Sequence, residues 1–147
     1  MAKGRSLPTL NSFLRGEIAA VETYRRALTR LDGHDEAEDL RACLASHERR
    51  VERLRDRVED LGGVPADEPG PWGAFARLYE TGPAAGSEGD EATIAALEEG
   101  EDSGLKLYLD DVCKLDADSR QIVAREILPE QVRTHSYVSD LKLRDAG

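Results

Sequence analysis

Six side chains of this 147-residue chain could do chemistry from positions where a helical protein is expected to be apolar. Glu17 and Tyr24 lie one heptad apart, and so do Glu101 and Tyr108. On a helix each such pair shares one face, two turns apart. His47 and His135 are each the single polar intruder on the predicted helix that follows a pair. Gly16-Glu17 and Gly100-Glu101 echo each other as well, so one half of the chain reads as a degenerate copy of the other. A carboxylate on an apolar seam opposes folding by several kcal/mol unless something pairs with it. Two carboxylates and two imidazoles, one on each of four helices, can satisfy one another in two ways. Oxygen and nitrogen ligands converging from facing helices suit an iron, manganese or zinc ion. A layer of Glu-His and Tyr-Glu hydrogen bonds needs no metal at all.

The elements that position these residues show in the periodicity. Leu10, Leu14, Glu17, Val21, Tyr24, Leu28 and Leu31 step strictly by four and three, and Asp32-Gly33 supplies a stop. Leu40, Leu44, His47, Val51, Leu54, Val58 and Leu61 repeat the step up to Gly62-Gly63. A short turn around Gly33-His34-Asp35 makes these two helices antiparallel neighbours. A third helix from about Asp90 carries Ile94, Leu97, Glu101, Leu105, Tyr108, Val112 and Leu115; a fourth, from Asp118 or Ser119, carries Ile122, Ile127, Leu128, Val132, His135, Val138 and Leu141. Pro129 is expected to bend or divide the fourth. The prediction is an all-α, antiparallel four-helix bundle, a single domain over residues 1–147. Its helices span about 9–31, 36–61, 90–115 and 119–144, and a crossover over 62–89 holds a short helix at 72–80 with Trp72 and Phe75 as an end cap.

Composition narrows the function classes. With 30 acidic against 20 basic residues and a net charge of −10, the chain has no basic patch to draw it onto nucleic acid or anionic lipid. No apolar run reaches signal-peptide or membrane-spanning length, so a cytoplasmic protein is expected. Cys43 and Cys113 read as reduced, buried or half-buried thiols. The Arg/Glu alternation from Glu48 to Glu59 reads as solvated helix faces, His34 as a solvated loop residue. Leu107, Leu109 and Leu143 fall off the seams and would form an outer stripe suited to a homodimer. No Ser-His-Asp order, phosphate loop or Cys-x-x-Cys pair is present.

From about Leu10 to Leu143 the chain resembles the ferritin-like bundles, which include ferritins, bacterioferritins, rubrerythrins and small bacterial proteins of unassigned function. The Glu-x6-Tyr spacings at Glu17/Tyr24 and Glu101/Tyr108 and the segment Leu97 to Asp102 carry the resemblance. It implies metal ligands at Glu17, His47, Glu101 and His135, with Glu98 as a further candidate, and Tyr24 and Tyr108 hydrogen-bonded to the ligating carboxylates. It also implies iron, manganese or zinc as the ion, and oxidation of ferrous iron or disposal of peroxide as the activity. Iron-binding members pair each histidine with a glutamate three residues earlier. Here those positions hold Leu44 and Val132, so one ion is expected rather than two, or a metal-free scaffold that serves as a structural or stress-associated interaction module.

Overall fold

The computed structural model describes residues 3–70 and 87–146. The predicted short helix at 72–80, with Trp72 and Phe75, lies outside the described residues. After a 3₁₀ turn at Lys3–Ser6, helix α1 runs Leu7–Arg30 and α2 runs Ala37–Asp60. Pro8 falls in the first turn of α1, where its missing N–H breaks no helical bond. Gly62 ends α2 with a φ of 80° that an L side chain rarely adopts. The Gly62 amide donates to the Glu59 carbonyl and the Gly63 amide to the Val58 carbonyl, each at 2.9 Å, the Schellman pattern. Asn11 then pins the start of the crossover to α1, donating to the Val64 carbonyl and accepting from the Ala66 amide.

Helix α3 spans Ser87–Asp111 and passes into a 3₁₀ turn at Val112–Lys114. The fourth rod is built from α4 (Ala117–Ile122), a π turn (Val123–Ile127) and α5 (Leu128–Ala146). Its start is earlier than Asp118 because Asp116, with extended backbone, caps α4 by accepting from the Ser119 amide at 3.1 Å. The same carboxylate accepts from Ser6 Oγ at 2.6 Å and from Arg57 at 3.3 Å, tying the chain's first turn to α2 and α4. Helix α1 packs along α2, and α3 along α5; α1 also lies against α3. The result is an all-α bundle of four rods.

The π turn corrects the predicted seam of the last rod. Ser119, Val123, Ile127 and Gln131 all point inward, in three successive steps of four, which overrun α periodicity by about one residue. The turn's wider hydrogen bonding absorbs the extra residue, and the seam continues through Thr134, Val138 and Leu141. Val132 is therefore 47% exposed, and His135 leaves the seam. Pro129 falls in the first turn of α5, directly after the π turn.

Apolar packing forms two clusters. One gathers Tyr24, Leu31, Leu40, Cys43, Leu97 and Leu141; the other gathers Leu10, Phe13, Leu54, Val58, Tyr108 and Ile127. Each holds one of the two heptad tyrosines, and both phenols reach into a polar layer between the clusters. Leu107 packs against the second cluster, leaving Leu109 and Leu143 exposed from the predicted stripe. Cys43 is buried as expected, whereas Cys113, in the 3₁₀ turn, is exposed. His34 is half-exposed in its turn and lies 3.4 Å from Asp90.

Candidate functional site: a closed charged layer in the bundle core

Five of the predicted site residues meet at mid-bundle. Glu17 on α1 and Glu101 on α3 face each other across His47 of α2, and all three are nearly inaccessible. His47 Nδ1 lies 2.5 Å from Glu17 Oε1, and Nε2 lies 2.8 Å from Glu101 Oε2. Tyr24 donates to Glu101 Oε2 and Tyr108 to Glu17 Oε2, both at 2.5 Å. Each tyrosine thus serves the other half's glutamate, and the bonds form one chain, Tyr24–Glu101–His47–Glu17–Tyr108. A neutral imidazole has one donor and one acceptor nitrogen, so two carboxylate partners require the doubly protonated cation.

A residue assigned to a solvated face completes the layer. Arg50 is only 2% exposed, against the expectation for the Glu48–Glu59 run. Its guanidinium donates to Glu17 Oε2 at 3.3 Å, Thr134 Oγ1 at 2.9 Å, Ser46 Oγ at 2.9 Å, the Glu130 carbonyl at 3.2 Å, and Gln131 Oε1. Gln131 Nε2 and Thr134 Oγ1 donate onward to Glu101 Oε1 at 3.0 and 2.9 Å. Glu101 so accepts four hydrogen bonds and Glu17 three, close to the four that a carboxylate can take. Two carboxylates, one imidazolium and one guanidinium leave the layer formally neutral.

The titration behaviour follows from this pairing. Burial pushes the Glu17 carboxyl up, but the charges of Arg50 and His47 and the hydrogen bonds of His47 and Tyr108 more than offset it, and its pKa falls to about 2. Glu101 is lowered in the same way, with burial opposed chiefly by His47. Burial would strip the proton from His47, yet Glu17 and Glu101 together raise its pKa above the ordinary 6.5. Burial, then the adjoining carboxylate, pushes Tyr24 and Tyr108 well above the usual phenol range. All the groups are thereby held in the protonation states that the hydrogen bonds require.

Glu98 and His135 are not part of this layer. Glu98 accepts from Ser139 Oγ at 3.1 Å and from Lys142 Nζ at 3.2 Å. His135, at 23% side-chain exposure, bonds Asp102. Ligand atoms of Glu98, Asp102 and His135 lie within 4.8 Å of one another at the α3–α5 surface. A small cleft between α1 and α3, edged by Gly16, Ala20, Gly100 and Gly104, leads to Glu17, His47 and Tyr108 and has room for about one water molecule. Gly104 faces Gln131 closely: a Cβ there would come within 3.0 Å of its Nε2.

For a metal ion, the arrangement of Glu17, His47 and Glu101 does not fit. Both imidazole nitrogens point at carboxylate oxygens rather than at a common open point, Glu101's acceptor sites are filled, and Arg50 adds a second positive charge. Fold and site together define an all-helical bundle protein with a self-paired ionic layer in its core. Residues 5–114 match the family described as Domain of unknown function (DUF2383), and the chain belongs to that family. The match takes in Glu17, His47, Arg50 and Glu101 and ends before Gln131 and Thr134. No curated protein and no solved structure matches the chain.

Proposed function

We propose that this domain is a metal-free scaffold of ferritin-like type, a structural or interaction module whose polar core layer specifies which helices pair and in what register. The observation that carries this reading is that both nitrogens of His47 and all four oxygens of Glu17 and Glu101 already have protein partners. Buried polar groups that cannot be satisfied in another alignment give such specificity at a cost in stability. The heptad Glu/Tyr spacings and the four-rod architecture support the ferritin-like affinity. Metal analysis of protein purified without chelator, followed by ferrous titration in air, tests the proposal. Less than about a tenth of an equivalent bound, with no spectral change, is expected. One equivalent lost on Glu17→Gln would overturn it.

A second reading, a ferritin-like metal-binding protein that oxidises iron or disposes of peroxide, draws support from Glu98, Asp102 and His135 alone. An ion bound there would be lost on His135→Gln and kept on Glu17→Gln. As a scaffold the domain offers Leu109 and Leu143, 57% and 72% exposed, for a homodimer. Sedimentation at two concentrations checks this: a constant monomer mass removes the dimer.

A further inference from the structure

Glu17 and Glu101 are buried at 3% and 1% exposure and need positive charge beside them. His47 supplies one charge and can give up its proton; Arg50 supplies the other and cannot. The Arg50 head donates to five oxygen acceptors, from Glu17 on α1, Ser46 on α2, and Glu130, Gln131 and Thr134 on α5. An all-oxygen cage with one carboxylate, and a second carboxylate one hydrogen bond behind it through Thr134 and Gln131, is the donor chemistry that hard divalent cations take. The guanidinium fills that cage through a stem rising from the helix that also carries His47.

We infer that Arg50 is a built-in cation standing where a metal ion would otherwise bind, and that the side chain at position 50 decides whether this layer is closed or takes one divalent ion of the oxygen-preferring class. The inference rests on the metal-free reading above. A neutral residue at position 50 leaves Glu17 and Glu101 with a single, removable positive charge. A divalent cation entering the vacated cage uses the oxygens that Arg50 used, and its two charges match the two carboxylates once His47 is neutral.

Manganese(II) titration of the full chain tests this, followed by loss of the free ion's electron paramagnetic resonance signal. The wild type is compared with Arg50→Met, Arg50→Lys and the double variant Arg50→Met/Glu17→Gln. Only binding abolished by Glu17→Gln is scored, which sets aside any ion at Glu98, Asp102 and His135. Arg50→Met is expected to bind about one ion and to melt at a higher temperature in saturating manganese, while the wild type and Arg50→Lys bind none. A folded Arg50→Met that binds no manganese overturns the inference and leaves the metal-free reading standing. A wild type that binds one Glu17-dependent ion overturns the metal-free reading itself. Should Arg50→Met fail to fold alone, it is refolded with manganese present: recovery of the helical circular dichroism supports the inference, and no recovery overturns it.

Discussion

His47 can release a proton and Arg50 cannot, and this difference sorts the two carboxylates that they serve. Glu101→Gln removes a charge that His47 can match by becoming neutral, leaving Glu17 paired with Arg50. The expected cost is about 1–2 kcal/mol, that of a weakened hydrogen-bond set. Glu17→Gln takes the direct carboxylate partner from a buried guanidinium, and a loss of about 3–5 kcal/mol is expected. Urea unfolding of the two variants side by side checks the asymmetry; equal losses would contradict it. Most of the layer was legible in the sequence, because Glu17, Tyr24, His47, Glu101 and Tyr108 each interrupt a regular apolar step or occupy it with a polar tip. Arg50 was not. Val51 stands next to it and offers an apolar residue that completes the same four-three step, so the arginine was assigned to solvent. Charge balance was the available signal: two seam carboxylates need two cations, and Arg50 lies one turn beyond His47 and one turn before Leu54.

At the scale of elements, the first three rods follow their apolar steps, while the fourth departs from its predicted phase at the π turn. The predicted seam steps from Leu128 through Val132 to His135, whereas the residue absorbed by the π turn puts the inward face one position earlier, on Ile127, Gln131 and Thr134, before the two courses rejoin at Val138 and Leu141. His135 resembles His47's counterpart only along the Leu128–Val132 step; Gln131 and Thr134 hold the inward positions instead. Deleting Ala124, an exposed residue of the turn, should return the rod to α periodicity and swing Gln131 and Thr134 out of the layer. Loss of at least about 3 kcal/mol is expected, since Arg50 and Glu101 lose their shared partners. By contrast His135→Ala, at a part-buried surface position paired with exposed Asp102, should stay within about 0.5 kcal/mol of wild type. Thermal melts of the two variants distinguish a functional register shift from a tolerant helix.

For the whole molecule, the charged layer sets a window of pH. The Glu17 carboxyl, lowered from 4.5 to about 2, contributes stability that is complete above pH 4.5 and is lost as pH falls from there toward 2; Glu101 acts in the same direction. His47, raised above 6.5, contributes stability that is complete below pH 6.5 and is lost as pH rises through its raised value. Denaturant unfolding across the pH range should therefore show a maximum between about pH 4.5 and 6.5, with Glu101→Gln removing much of the alkaline decline. Because the layer separates two apolar clusters, each with its own tyrosine, it is also the fastener through which one half of the bundle senses the other. Above the pH at which His47 loses its proton, that fastener slackens. Amide hydrogen exchange, a single cooperative block near pH 6, should then resolve into two groups of rates, one for the Leu40–Leu97–Leu141 end and one for the Leu10–Leu54–Ile127 end.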